Sequence, residues 1–256
     1  MAVTNSTERF SSRVDNYVRY RPGYPREVIE LLKTECGLTP EAVVADVGSG
    51  TGIFSRLLLE NGNSVLGIEP NPDMRRAGEE YLRAYPRFQS VAGTAEHTGL
   101  TDRSVDLITA AQAAHWFDRG KTRGEFARIL KPGGWTALIW NDRSTDATPL
   151  LREYEKLLQT YGTDYHQVRR VGMDTEQEIE SFFAPARVKL RKFPSWQEFD
   201  YAGLEGRLLS SSYTPQLGHA NYEPMLAELR RIFDAYQKDG RASLIYDTQV
   251  YYGQLA

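Results

Sequence analysis

The sequence predicts an α/β fold, an open Rossmann-like sheet of mostly parallel strands with helices on both faces. Short apolar runs alternate with helix-like segments up to residue 141, which is typical of a parallel sheet with right-handed crossovers. The run Val43–Val47 consists mainly of small and β-branched residues, as expected for a strand buried on both faces. A glycine-rich turn then leads into the apolar helical segment Ile53–Leu59.

The first half of the chain follows this alternation element by element. Apolar residues recur at helical spacing between Phe10 and Val18, the segment Tyr20–Pro25 breaks that helix, and Pro25 suits the first turn of the next. We then expect a helix over 26–35, strands at 43–47 and 65–68 flanking a helix at 53–59, a helix at about 72–84, strands at 88–92 and 105–110, a helix at 121–130 and a strand at 135–140.

Beyond residue 141 the regular alternation ends. Helices are expected over 150–160, 176–183, 196–209 and 222–237, with strands at 188–193 and 243–252. We interpret the chain as one domain: an N-terminal helical lid (1–40), a central core (41–141), and C-terminal strands (142–256). A helical cap at about 197–224 is expected to cover the ligand edge of the sheet.

Composition narrows the class of protein. The 256 residues include 31 basic and 34 acidic side chains, a net charge of −3, so no general attraction to nucleic acid or to an anionic membrane is expected. No apolar run reaches the roughly 20 residues of a membrane helix, and Met1–Ser12 lacks the apolar core of a secretory signal. The lone Cys36 fits a reducing compartment. We therefore expect a cytoplasmic protein, with its oligomeric state left open.

The glycine-rich turn predicts a nucleoside cofactor. Gly48, Gly50 and Gly52 let the backbone approach a ligand closely, and the following helix start offers free N–H groups. Nineteen positions after Gly50, a second strand ends in Glu69, whose carboxylate can accept both hydroxyls of a ribose. The acidic Asp46 would repel a pyrophosphate and attract an ammonium or sulfonium group. A nicotinamide dinucleotide is the weaker alternative.

The residues Val44–Gly52, with Glu69 after them, resemble the first two motifs of class I S-adenosylmethionine-dependent methyltransferases. The segments 10–25, 93–118 and 246–253 look like the type 11 methyltransferases related to trans-aconitate methyltransferase. The resemblance implies a seven-stranded sheet whose last strand is antiparallel, a cofactor-binding core at 41–141, and S-adenosylmethionine as cofactor with S-adenosylhomocysteine as product.

The same resemblance implies the cofactor contacts. The glycine-rich turn would pass beneath the methionine part, with Asp46 near its ammonium group and Glu69 on the ribose. Residues after the second and third strands would flank the adenine, where Thr94 stands in place of a common aspartate. The full set is Tyr20, Arg21, Asp46, Gly48, Ser49, Gly50, Thr51, Gly52, Glu69, Pro70, Met74, Thr94, Ala95, Glu96, Ala111 and Gln112.

The acceptor site is expected after the fourth strand and in the cap. The substrate-binding candidates are His115, Trp116, Asn141, Tyr213 and His219. His115 is also the candidate catalytic base, since an imidazole pKa of about 6.5 suits proton abstraction from a hydroxyl. A carboxylate acceptor would need no base.

We predict methyl transfer to a small-molecule acceptor, with a carboxylate or hydroxyl oxygen favoured, by in-line displacement at the sulfonium. No metal is expected, because Ala111 and Gln112 stand where a catechol-type magnesium site would need an acid. No nucleic-acid or membrane partner is expected. The alternatives are a nicotinamide-dependent oxidoreductase and a catalytically inactive cofactor-binding regulator; a methyltransferase acting on protein or RNA is weaker.

Overall fold

The computed structural model describes residues 19–165 and 175–255. The strands are β1 (Val43–Val47), β2 (Ser64–Ile68), β3 (Phe88–Val91), β4 (Val105–Ala111), β5 (Leu130–Arg143), β6 (Lys189–Phe199) and β7 (Ala242–Gly253). The helices are α1 (Glu27–Cys36), α2 (Ile53–Glu60), α3 (Pro72–Tyr81), α4 (Arg119–Ile129), α5 (Pro149–Tyr161), α6 (Glu176–Phe183), α7 (Tyr201–Leu209) and α8 (Tyr222–Tyr236). The helix predicted between Phe10 and Val18 lies outside the described residues.

All seven strands form one sheet, in the order β3-β2-β1-β4-β5-β7-β6. Strands β1 to β5 are parallel, while β7 lies between β5 and β6 and is antiparallel to both. The predicted fold class, including the antiparallel last strand, is confirmed. The strand order reverses between β1 and β4, and an open α/β sheet binds its ligands beyond the carboxyl ends of the strands at such a point.

Two predicted boundaries are wrong for identifiable reasons. Residues 196–199 are the end of β6 and not the start of a helix, because β6 stays paired with β7 as far as Phe199. Helix α7 begins only after Asp200, whose side chain accepts a hydrogen bond from the Gly203 N–H and caps the helix. The segment Lys131–Gly134, which lies between the helix predicted at 121–130 and the strand predicted at 135–140, is an irregularity within β5.

The apolar core has three clusters. The first two cover the two faces of the sheet, and α6 belongs to one of them while α1 and α2 belong to the other. The third consists of α5, α7, α8 and the paired ends of β6 and β7, with Tyr154, Leu204 and Leu229 fully buried. We call this third unit the cap. It contains part of the range 197–224 named from the sequence, and the domain boundaries stay a prediction.

Within the described ranges, no helix is long and apolar enough to cross a lipid bilayer.

Gly48 should be the least replaceable glycine of the first turn. Its φ is +70°, and an added Cβ would overlap the Cβ of Ala113. We expect Gly48→Ala to lower the free energy of unfolding by roughly 2–3 kcal/mol, from backbone strain and overpacking together. Urea unfolding followed by circular dichroism measures this change.

Two control variants separate these causes. Gly133 has a φ of +79° with open space around its Cα, so Gly133→Ala tests strain alone. Gly124 lies within α4 with no atom near an added Cβ, so Gly124→Ala should stabilise slightly. A Gly48 variant no less stable than the Gly133 variant would contradict the close packing against Ala113.

Candidate functional site

A cavity of about 400 Å³ opens at the carboxyl ends of β1, β4 and β5, with the cap forming its opposite wall. This volume lies within the range of small-molecule sites. The predicted residues that line it are Arg21, Asp46, Gly48, Ser49, Thr51, Ala111, Gln112, His115, Trp116, Asn141 and Tyr213. The topology thus brings residues from β1, β4, β5 and the cap into one space.

The glycine-rich turn is fixed to the neighbouring strand by its backbone. The N–H groups of Gly48 and Ser49 both donate to the carbonyl of Ile68, at 2.8 and 3.1 Å. Gly48, Gly50 and Gly52 all have positive φ, which glycine adopts without strain. Gly52 precedes α2 without a side-chain cap, so N–H groups at this helix start remain available.

Thr51 gives an independent indication that a ligand belongs beside the turn. Its side chain is 1% exposed and lines the cavity, yet its hydroxyl has no hydrogen-bond partner among the described residues. A buried hydroxyl without a partner costs free energy unless a ligand satisfies it. Together with a backbone too close to Ala113 for a Cβ at Gly48, this fits a cofactor lying directly on the turn.

Asp46 is the acid of this wall. It lies at the end of β1, accepts hydrogen bonds from the Ser55 hydroxyl (2.6 Å) and the Thr109 hydroxyl (2.9 Å), and is 1% exposed. Burial raises the pKa of Asp46 to about 6, although the Ser55 and Thr109 hydrogen bonds oppose the shift. At neutral pH the carboxylate is therefore charged and placed to attract a cation in the cavity.

Glu69 is held at the end of β2 by two backbone groups. The Gly50 N–H donates to one carboxylate oxygen at 3.0 Å, and the Asn71 N–H donates to the other at 2.9 Å. Burial raises its pKa, although these bonds oppose the shift. Glu69 does not line the cavity, but each oxygen keeps an acceptor site beyond the bond it already makes. Its role on a ribose stays a prediction.

The residues predicted around the adenine lie outside the cavity lining. Pro70 and Thr94 are exposed, while Met74 and Ala95 are buried in the core. Glu96 accepts a hydrogen bond from the Asp118 N–H at 2.8 Å, which ties it to the start of α4. These residues therefore lie near β2 and β3 and outside the cavity lining, although the Met74 side chain packs against Gly50 of the glycine-rich turn.

His115 and Trp116 form one short turn of 3₁₀ helix after β4, with their ring centroids 4.9 Å apart. Both line the cavity. Burial, helped by the positive charge of Arg21, lowers the pKa of His115 to about 4. The imidazole is therefore neutral at pH 7 and a weaker base than its ordinary pKa implied.

Gln112 and Asn141 support the cavity wall from two neighbouring strands. Gln112 has a φ of +55°, which is unusual for a residue other than glycine. Two hydrogen bonds hold this conformation: the backbone N–H donates to the Ile139 carbonyl at 2.8 Å, and the side-chain amide donates to the Asn141 carbonyl at 3.0 Å. The Asn141 side chain donates to the Gly23 carbonyl and accepts from the Thr248 hydroxyl. Asn141 thus links the chain before α1 to β5 and β7.

Three predicted residues belong to the cap or to its contact with the N-terminal segment. Tyr20 packs so closely on α7 that a Cβ at Gly206 would overlap its ring, and it does not line the cavity. His219 is exposed, and its Nδ1 accepts a hydrogen bond from the Asn221 N–H. Arg21 does reach the cavity and donates to the Ser210 carbonyl at 2.9 Å.

The sequence analysis missed most of the cap wall. The further lining residues with polar or aromatic side chains, from the cap and from the strand ends, are Tyr24, Phe54, Trp140, Asp142, Arg143, Tyr165, Arg207, Ser212, Gln249 and Tyr251. Trp140 and Arg143 sit at the carboxyl end of β5, so the strand-end rule could have found them. Arg207 lies in an apolar helical pattern, where a charged residue on the buried face is the only local signal.

Comparison with known proteins agrees with this geometry. The family model described as a methyltransferase domain matches residues 45–138. An uncharacterized methyltransferase of Mycobacterium tuberculosis is 42% identical over 137 residues, or 52% of this chain and 52% of the relative. A methyltransferase-like protein of Schizosaccharomyces pombe is 30% identical over 165 residues, or 64% and 63%. The chain spans about half the length of the mycobacterial relatives that it matches.

Residues 45–138 thus match a methyltransferase domain, and the relatives that match about half of the chain are named as methyltransferases.

Solved methyltransferase structures share the fold. A candidate type II methyltransferase from Anaeromyxobacter dehalogenans is 22% identical, with a TM-score of 0.66 over 92% of this chain and 98% of that chain. Geranyl diphosphate C-methyltransferase from Streptomyces coelicolor, solved with Mg²⁺, geranyl diphosphate and S-adenosylhomocysteine, is 14% identical, with a TM-score of 0.50 over 90% and 77%. The methyltransferase-domain match supports S-adenosylmethionine as the cofactor; the closer relation to trans-aconitate methyltransferase stays a prediction.

Among residues 19–165 and 175–255, no three His, Cys, Asp or Glu side chains lie together in a way that could hold a metal ion.

Asp46 should make the stability of this protein fall as the pH rises from about 4 to 6. Its pKa is 3.8 when unperturbed and about 6 in the folded protein, so the folded state holds the proton more tightly and loses that advantage on deprotonation. The contribution of Asp46 to the free energy of unfolding therefore decreases by about 3 kcal/mol over this pH range. In urea unfolding from pH 4 to 7, Asp46→Asn should gain stability relative to wild type as the pH increases.

The exposed Glu41 provides the matched control. Stability curves of Glu41→Gln and wild type should run parallel across this pH range. Parallel curves for Asp46→Asn and wild type would show that Asp46 titrates normally.

His115 should remain neutral well below pH 6. Because its pKa is lowered to about 4, its ring-proton NMR signal should not move between pH 5.5 and 8.5, whereas a free imidazole titrates at about 6.5. His115→Asn assigns the signal by its disappearance. A His115 titration midpoint between pH 6 and 7 would contradict the desolvated environment.

Proposed function

We propose that this protein transfers the methyl group of S-adenosylmethionine to an oxygen of a small-molecule acceptor. One observation carries the proposal: a single cavity is lined by the glycine-rich turn and Asp46 on one side and by His115, Trp116 and Tyr213 on another. The cofactor-binding wall and the candidate acceptor wall therefore enclose the same space.

The chemistry requires little covalent participation by the protein. The bound cofactor supplies a methyl group already activated by the positive sulfonium. The chain's contribution is to hold an acceptor atom in line, about 3 Å from that methyl, and to exclude water. Asp46 and the turn hold one partner, while aromatic and polar groups from β4 and the cap orient the other.

The acceptor atom is best explained as a carboxylate oxygen. A hydroxyl acceptor loses its proton during transfer and needs a base whose pKa is near the working pH. His115, with its pKa lowered to about 4, is a weak base for that task. A carboxylate is already ionised and attacks without proton transfer. His115 would then orient the acceptor by hydrogen bonding while it stays neutral.

Calorimetry and methyl-transfer assays test the proposal. We expect S-adenosylhomocysteine to bind wild-type protein with measurable heat and NADH to give none. With S-adenosylmethionine present, small organic acids should be converted to methyl esters, detected by mass spectrometry. Binding of NADH alone would favour the oxidoreductase alternative. Cofactor binding without turnover on acids or alcohols would favour the regulator.

Glu69→Gln should weaken S-adenosylhomocysteine binding by about tenfold or more. One acceptor oxygen becomes an NH₂ group that cannot accept hydrogen bonds from a ribose hydroxyl, and bonds to charged groups are among the stronger ones. Isothermal titration calorimetry measures the dissociation constant, and circular dichroism checks that the variant is folded.

The control is Glu223→Gln, which makes the same change at an exposed position in the first turn of α8. Its dissociation constant should match that of wild type. If Glu69→Gln also binds within twofold of wild type, Glu69 does not hold the ribose.

A further inference from the structure

We propose that Arg207 forms an anion-binding subsite in the cap that holds a carboxylate group of the methyl acceptor. The inference rests on the proposed function and deepens it, because it assigns acidic acceptors to a particular side chain. Arg207 lies on α7, a helix that contains none of the residues that the sequence analysis assigned to the cofactor. It lines the same cavity as Asp46 and His115.

The first step of the argument is the burial of Arg207. The residue is 5% exposed. Its Nε donates to the Tyr246 hydroxyl at 3.2 Å, and its Nη1 donates to the Ser211 hydroxyl at 3.1 Å and, at 3.5 Å, to the Ser210 hydroxyl. These partners are neutral. In the part of the chain that the structure describes, Arg207 forms no ion pair, and its Nη2 makes no hydrogen bond.

A buried guanidinium without a counter-charge is unfavourable, since neutral dipoles replace only part of its hydration. Arg143, which lines the same cavity, shows how this fold treats a structural arginine. It is paired with Glu155 at 2.5 Å, and the Tyr165 hydroxyl also donates to that carboxylate. Arg207 has no equivalent of Glu155. An anion entering the cavity would supply the missing charge.

The surroundings of Arg207 reinforce its positive charge. Arg21 donates to the Ser210 carbonyl at 2.9 Å, so two guanidinium groups bond to the same residue. Tyr213 responds to these charges. Burial raises its pKa, yet the charges of Arg207, Arg21 and Arg143, together with a hydrogen bond to Ser211, outweigh burial and lower the pKa overall. This region of the cap therefore carries a positive potential that favours an anion.

The position of Arg207 separates this subsite from the cofactor's. The glycine-rich turn and Asp46 lie on the sheet side of the cavity, whereas Arg207 comes from the cap and is bonded to Tyr246 of β7. An acceptor that spans the space would place one acidic group on Arg207. The planar fork of a guanidinium suits a carboxylate, which can accept two hydrogen bonds at once.

Calorimetry with defined probes tests the subsite. Protein saturated with S-adenosylhomocysteine is titrated with succinate, butyrate and benzoate, and in parallel with succinamide, butyramide and benzamide. We expect at least one carboxylate to bind tenfold or more tightly than its amide. Arg207→Met should abolish that preference and leave the affinity for S-adenosylhomocysteine within threefold of wild type. Arg230→Met, at an exposed ion pair on α8, should behave as wild type.

Arg207→Lys is the second variant, for the case that Arg207→Met does not fold. It keeps the positive charge but lacks the planar guanidinium, so its preference for a carboxylate over the matching amide should be smaller than that of wild type and still measurable. The proposal is overturned if no carboxylate binds better than its amide, or if the preference survives in Arg207→Met. A tenfold loss of S-adenosylhomocysteine affinity in Arg207→Met would assign the arginine to the cofactor's own carboxylate and also overturn it. Absence of S-adenosylhomocysteine binding to wild type is a separate result, and it refutes the proposed function.

Discussion

The site depends on one buried carboxylate at the point where the strand order reverses. Asp46 ends β1, Thr109 is its register partner on β4, and Ser55 belongs to α2. The two hydrogen bonds to Asp46 therefore connect both strands at the switch point with the helix that follows the glycine-rich turn. Because these hydroxyls offset only part of the cost of burying the charge, the pKa of Asp46 stays raised. A cationic ligand bound in the cavity would favour the charged form of Asp46 and so offset the free-energy cost of burying it.

The cavity is electrostatically divided between its two walls. The sheet side presents Asp46 and the cap side presents Arg207, while Arg143 at the end of β5 is paired with Glu155 of the cap and His115 is neutral. Such a division suits a reaction in which a positively charged methyl donor meets an anionic acceptor, since each wall stabilises one reactant. As the methyl group moves, the two charges cancel, so a water-poor cavity favours transfer. This separation of charge follows from the topology, because the sheet wall and the cap wall come from distant parts of the chain.

Sequence patterns could predict the sheet because its signals are local. Apolar strands, the glycine-rich turn and the helices between them are each visible in a short window, and all of them recur in the structure near the expected residues. The error at 196–199 has a non-local cause, namely that β6 is extended by pairing with β7. The cap wall was missed for a similar reason: Arg207 and Tyr165 reach the cavity only through the packing of α5, α7 and α8. Asn141 and Glu96 also make hydrogen bonds to backbone groups that connect segments of the fold, which the local pattern could not indicate, and their contacts with ligands stay predictions.

The separate apolar core of the cap has a consequence for how such proteins diversify. Tyr154, Leu204 and Leu229 are buried among cap residues and not against the cofactor-binding strands. Substitutions in α7 or in the segment after it can therefore remodel one wall of the cavity while the register of the parallel strands is preserved. Descendants of one ancestral gene could in this way acquire new acceptors without rebuilding the donor machinery, and close similarity in the first half of two chains need not extend to a shared metabolite.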